Sequence, residues 1–243
     1  MTTATFETSE ELATAVASAL LDVIADRQAA GEVPRICLTG GTIADRIHEQ
    51  IARLAPASGV DWGAVSLWWG DERYVAPDSG DRNALQARRA FIDQVGVPEH
   101  RVHEMASTSS ACSVDEGAKA YAATVSAGGG PFDVVMLGVG PDGHIASLFP
   151  GFAQLDVEDA IAVPVTGSPK PPPERITLTF PALNRAERVW FLVSGQAKAG
   201  AVAAALGGAD KHEIPAAGIA PVAASGQPGE VIWWLDGEAA SQL

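Results

Sequence analysis

Positive charge is scarce in this 243-residue sequence: 16 Lys and Arg stand against 30 Asp and Glu, a formal net charge of −14. No long basic stripe offsets that balance, so nucleic-acid and anionic-membrane binding are not expected. A small anionic ligand stays open, because a few cations grouped in one cleft can hold a phosphate. Cysteine is almost absent. Cys37 lies in the apolar run "RICLTG" and Cys112 precedes a helical pattern. They are far apart and neither is metal-spaced, so no disulfide is expected. His48, His100, His103 and His212 show no H-E-x-x-H or other ligand spacing, and neither a metal nor another cofactor is expected. No run approaches the roughly 18 apolar residues of a membrane span. The opening "MTTATFETSEEL" lacks the basic and apolar regions of a secretory leader, and a reducing cytoplasm is the expected compartment.

What is present is alternation. Hydrophobic residues make up 47% of the chain, enough to bury a sizeable core, with abundant Ala and few aromatics favouring helices packed closely on a sheet. Thr8 or Ser9 can cap a first helix with Glu10 and Glu11 in its first turn, and Leu12, Val16, Leu20, Val23 and Ile24 recur at helical spacing. "RICLTGG" reads as a buried strand and "TIADRIHEQIARL" as a helix with Ile43, Ile47, Ile51 and Leu54 on one face. "AVSLWWGDER", "FDVVMLG", "RVWFLVSG" and "EVIWWLDG" read as strands, "IAVPV" and "RITLTF" as shorter ones. "DRNALQARRAFIDQV", "SVDEGAKAYAATVSA" and "QAKAGAVAAALGG" read as helices between them. Residues 1–243 are expected to form a single α/β domain, a Rossmann-like open, mostly parallel sheet with helices on both faces. "TGSPKPPPE" reads as a surface loop rather than a linker.

The polar, glycine-rich segments follow strand ends: "TGGT", "GDER", "GVGPDGH" and "SGQAKAG". In open parallel sheets ligands bind outside the carboxyl ends of the strands, so these four loops are expected to meet. The third contains a literal G-x-G-x-x-G at Gly138, Gly140 and Gly143. A dinucleotide site also needs a long helix after the third glycine, then a strand ending near an acid. Here Pro150 and Gly151 cut "HIASLF" to a turn or two of helix, and "IAVPV" ends in Thr166 and Gly167. The chemical reading is stronger: glycines let the backbone turn sharply and carry Asp142 and His144 to the mouth of the sheet. His is suited to moving a proton near neutral pH, and a neighbouring carboxylate can fix its tautomer. Gly40, Gly41 and Thr42 end a strand and open a helix, whose N-terminal amides suit an anion.

"GVGPDGHIASLFPG", "WWGDERYVAPDSGDRNA" and "RITLTFPALNRAERVWFLVSGQAKAGAV" together resemble the 6-phosphogluconolactonase family, from about residue 8 to 236. The related glucosamine-6-phosphate deaminases share the "DGH" core but continue it to an asparagine-glutamate-proline ending, where this chain has Ser147, Leu148, Phe149 and Pro150. They also usually place a tyrosine after "DE", where Arg73 stands. The first loop departs from a Gly-Gly-Ser-Thr-Pro pattern: Gly40-Gly41-Thr42-Ile43-Ala44 keeps a hydroxyl and loses the proline.

The resemblance implies hydrolysis of 6-phospho-D-glucono-1,5-lactone in the oxidative pentose phosphate pathway, with the sugar phosphate lactone as sole partner and the protein a monomer or weak homodimer. On that reading His144 is the general base and Asp142 orients it or the water, unless Asp142 only caps its loop. Arg73 either stabilises the carbonyl oxygen or pairs with Asp71 or Glu72, which are read as sugar-binding or structural. Arg175 and Lys198 complete the phosphate site, the guanidinium suited to a two-pronged grip and the ammonium to a point charge. Lys170 is an outer phosphate contact or a solvated lysine. The rivals are a sugar-phosphate isomerase or deaminase on the same scaffold, and a non-enzymatic sugar-phosphate sensor.

Overall fold

Along each central strand, neighbouring side chains point to opposite faces, and both faces must be covered. Ile36 and Leu38 enter one core with Trp69, Val134, Met136 and Trp190, while Cys37 enters another with Trp68, Val135, Leu137 and Phe191. The computed structural model describes residues 1–243. Its strands are β1 (Thr2–Phe6), β2 (Arg35–Leu38), β3 (Ser66–Trp69), β4 (Asp71–Arg73), β5 (Val134–Gly138), β6 (Ala162–Val165), β7 (Arg175–Leu178), β8 (Arg188–Val193) and β9 (Glu230–Asp236). Six form a wholly parallel sheet in the order β1-β9-β8-β5-β2-β3, and three form an antiparallel sheet in the order β4-β7-β6.

The helices are α1 (Ser9–Ala29), α2 (Thr42–Ser58), α3 (Asn83–Ala87), α4 (Asp93–Val95), α5 (Val114–Ala127), α6 (Phe180–Leu183) and α7 (Ala199–Leu206). A π-helical stretch, Arg88–Ile92, joins α3 to α4. α1, α2 and the α3–α4 segment supply Leu12, Ile47 and Phe91 to the first core. α5, α7 and the small sheet cover the other face with Tyr121, Val202 and Ile176. No helix is long and apolar enough to cross a membrane.

Thr8 is the cap of α1: its hydroxyl accepts from the Glu11 amide at 3.2 Å, and the Glu11 carboxylate accepts from the Thr8 amide at 3.3 Å. One strand was not anticipated and one expectation needs correction. β1 precedes that helix; it is a largely exposed edge strand with no apolar run to betray it. "HIASLF" is not helical. Gly143 and Ala146 take positive φ, 76° and 47°, and residues 145–148 close a tight turn from the Leu148 amide to the Ile145 carbonyl. That reversal brings Ser147 to Asp71 across the site, which a helical turn would not do.

"GDER" is more than an exit from β3. At Gly70 the chain passes between sheets: its amide donates to Leu38 of the large sheet, and its carbonyl accepts from Leu178 of the small one. β4 and β7 then run antiparallel with Arg73 opposite Arg175. The small sheet thus carries Asp71, Arg73 and Arg175 to the carboxyl edge of the large one.

His48 on α2 is fully buried against Phe91, and neither ring nitrogen has a partner. Burial pulls its imidazole from 6.5 down to about 4. The unfolded chain therefore binds more protons between those values, and this residue's contribution to stability falls as pH drops through that window. Burial pushes Glu72 up to about 7, against the pull of Arg82 and three backbone amides, and so acts in the opposite sense over much of the same range. Comparison of wild type with His48→Leu isolates the imidazole. The stability advantage of the variant should grow by on the order of 3 kcal/mol between pH 7 and 4. Urea unfolding across that range reads it, and a pH-independent difference would refute the account.

Candidate active site

At the carboxyl edge of β2, β5 and β8 lies a cavity of about 350 Å³. Four hollows elsewhere are larger, about 410 to 610 Å³, but none of them holds a histidine or more than one cation. The smaller cavity holds the chemistry. Gly40, Gly41 and Thr42 arrive from β2, Asp71 and Arg73 from β4, His144 from the loop after β5, Arg175 from β7 and Lys198 from the loop after β8. The four loops expected to meet do meet.

The catalytic loop folds back on itself. The Gly140 amide donates to the His144 carbonyl and the Gly143 amide to that of Gly140, both at 2.9 Å. This lays Asp142 and His144 over Gly140, where a Cβ would fall 2.0 Å from His144 Nδ1. His144 Nδ1 stands 2.5 Å from Asp142 Oδ1. Burial would raise the Asp142 carboxyl, but the hydrogen bond and charge of His144 and the charge of Lys170 outweigh it and hold it at about 2. An ionised carboxylate only accepts, so Nδ1 carries a proton, and in the neutral ring the lone pair is on Nε2. The imidazole packs against Phe149, centroids 4.7 Å apart.

Arg73 makes no ion pair with Asp71 or Glu72. Its guanidinium donates to the Asp81 carbonyl at 2.7 Å and to Asn83 Oδ1 at 2.8 Å, neutral acceptors that fix it and leave its charge uncompensated. Glu72 does not reach the cavity and is corrected to a structural residue. It is fully buried and its oxygens accept from the amides of Arg73, Asn83 and Ala84, each at 2.8 Å. The amides of Asn83 and Ala84 open α3, so the carboxylate satisfies donors that the helix cannot. Asp71 lines the cavity and accepts from Ser147 Oγ at 2.5 Å.

On the phosphate side, Gly41 caps α2 with φ 104° and no side-chain bond, so the first amides of the helix are free for a ligand. The Lys198 ammonium has no hydrogen-bond partner in the protein; burial, then the charge of Lys170, lowers its pKa. Arg175 reaches the site because its strand belongs to the antiparallel sheet, but the two-pronged grip is not available. Nε donates to the Pro172 carbonyl, and NH2 to those of Lys170 and Pro171, at 3.1–3.3 Å. Only NH1 remains, 3.9 Å from Asp71 Oδ2.

Two further side chains shape the site, of which Asn83 was not expected there. Asn83 ties Arg73 to the Asp71 carbonyl and fills the space beside Gly40, where a Cβ would fall 1.9 Å from its Oδ1. Its place as the first residue of a helix gave no chemical signal. Lys170, expected as an outer phosphate contact or a solvated lysine, is not merely solvated: its Nζ lies 3.3 Å from His144 Nδ1 and 3.7 Å from Asp142 Oδ1. Nowhere does the fold gather three or more His, Cys, Asp or Glu side chains as a metal site.

Residues 7–233 match the family described as glucosamine-6-phosphate isomerases/6-phosphogluconolactonase. A 6-phosphogluconolactonase of Mycobacterium tuberculosis is 42% identical over 246 residues, covering 98% of this chain and 96% of the relative. The structure of 6-phosphogluconolactonase from Trypanosoma brucei is similar with a TM-score of 0.81 at 26% identity, covering 100% of this chain and 98% of the other. A monomeric glucosamine-6-phosphate deaminase, 21% identical and aligned over 100% of both chains, has a TM-score of 0.83 and shares the fold.

Proposed function

The chain belongs to the glucosamine-6-phosphate isomerase/6-phosphogluconolactonase family, and we propose on that basis that its cavity hydrolyses 6-phospho-D-glucono-1,5-lactone to 6-phospho-D-gluconate, with His144 as general base. The reaction is a carboxylic ester hydrolysis in the oxidative pentose phosphate pathway. The observation that carries the mechanism is the Asp142–His144 pair, set in a cavity with four cations on a chain of net charge −14.

A lactone is an activated ester, so no covalent nucleophile is required. His144 Nε2 takes a proton from water as the water oxygen adds to C1. The carbonyl oxygen gains negative charge, which Arg73 is placed to offset. Collapse breaks the bond between C1 and the ring oxygen, and the imidazolium returns its proton to that oxygen. The new carboxyl group loses its own proton to solvent. Ser147 has the one hydroxyl of the catalytic loop, and it is buried and spent on Asp71. Phosphate binding falls to the amides of Gly41 and Thr42, Lys198, and NH1 of Arg175. The free thiols of Cys37 and Cys112 fit a reducing cytoplasm.

The test is hydrolysis of the phospholactone, followed by oxidation of the 6-phosphogluconate formed. No acceleration over the spontaneous reaction, with consumption of glucosamine 6-phosphate instead, would favour the deaminase reading. Lys198→Ala should raise KM for the phospholactone roughly 10- to 150-fold, the equivalent of a charge-assisted hydrogen bond of about 1.5–3 kcal/mol. The slow hydrolysis of unphosphorylated gluconolactone should not change. Equal losses on both lactones would remove Lys198 from the phosphate site.

A further inference from the structure

We propose that Lys170 is a catalytic residue of this hydrolysis, its ammonium offsetting the charge that grows on the carbonyl oxygen as water adds, and that Arg175 positions it. The inference rests on the lactonase reading above. Of the four cations lining the cavity, Lys170 is the one in contact with the catalytic pair, 3.3 Å from His144 Nδ1 and 3.7 Å from Asp142 Oδ1. The 3.7 Å contact is an ion pair, too long for a hydrogen bond, and at 3.3 Å two donors face each other, because Nδ1 already donates its proton to Asp142. The ammonium is thus charge-paired with Asp142 on one side while its N–H donors are left for a ligand. A ligand oxygen bound next to His144 would be their acceptor.

The loop is built to hold this lysine in place. The Lys170 amide donates to Ser168 Oγ, which donates to the Lys170 carbonyl, and the Ser168 amide donates to the Pro173 carbonyl. Arg175, only 4% exposed, then holds the carbonyls of Lys170, Pro171 and Pro172. Its guanidinium also lies 5.8 Å from the centroid of Phe149, the ring that packs on His144. One buried arginine thus fixes both the base, through Phe149, and the loop that carries Lys170. Arg73, held through NH1 by Asp81 and Asn83, acts on the same oxygen from β4, so Lys170 is the second cation of the pair. Lys170 remains protonated throughout: it transfers no proton and forms no bond.

A phosphate contact and a carbonyl contact are separable with two substrates. Lys170→Ala should lower kcat by on the order of 10²-fold for both the phospholactone and unphosphorylated gluconolactone, as loss of one donor to an oxyanion does. Added ethylammonium should restore part of that rate in Lys170→Ala and none in His144→Ala. Arg175→Lys keeps a cation but cannot hold three carbonyls, and should lower kcat on both lactones. Loss confined to KM for the phospholactone would make Lys170 an outer phosphate contact and overturn the proposal. So would unchanged kinetics, or a loss on both lactones that ethylammonium does not rescue. Absence of lactone hydrolysis in the wild type would instead refute the lactonase reading, and this inference with it.

Discussion

His144→Gln slows lactone hydrolysis by roughly 10²–10⁴-fold while the fold persists. Glutamine can still donate to Asp142 and fill much of the space against Phe149, so the loop keeps its anchor. It has no group that takes a proton from water near neutral pH, and the step at C1 loses its base. Single-turnover hydrolysis, read beside the circular dichroism of the variant, separates chemistry from folding. Wild-type turnover in a folded variant would reduce His144 to a tether for its loop.

A comparable loss is expected from a single methyl group placed elsewhere. In Gly140→Ala the new Cβ falls 2.0 Å from His144 Nδ1, 2.1 Å from Cε1 and 2.4 Å from Asp142 Oδ1. Gly140 is not among the glycines at positive φ, so the effect is steric rather than torsional. The imidazole and the carboxylate must both move by about an ångström or more, and displacement of that size can cost 10²-fold in rate. Gly80→Ala is the matched control, since its methyl group meets nothing within 4 Å. Full activity in Gly140→Ala would show that Asp142 and His144 do not need the arrangement seen here.

Much of this was readable in the chain because it rests on local pattern. The strands around Cys37, Val135 and Phe191 are continuous apolar runs, as double-sided burial demands, and the loops after them are where a parallel sheet exposes its chemistry. Asp142 and His144 stood out because their partner is two residues away. The rest depends on distant pairs. Nothing local tells Glu72, fully buried, from Asp71, which lines the cavity; their fates are set by α3 and by Ser147, 76 residues further on. The second sheet was hidden for the same reason. "DER" is too short to show a period, and its pairing with "RITL" spans about a hundred residues. Lys170 looked like any lysine in a proline-rich loop until Arg175 folded that loop over the site.

The four cations of the cavity sit on a chain whose formal charge is −14, and the two act over different ranges. A sugar phosphate approaching through dilute buffer meets the acidic exterior first and is repelled; only near the mouth do the cations prevail. Salt screens the outer repulsion, which acts through solvent over about a Debye length, more than the inner attraction in a partly buried cleft. Encounter should therefore quicken with added salt at low ionic strength, the reverse of a guided approach. The same field assists departure. Ring opening turns a neutral ester into a carboxylate, so the product leaves with one more negative charge than the substrate brought in, and the exterior that slows entry drives release.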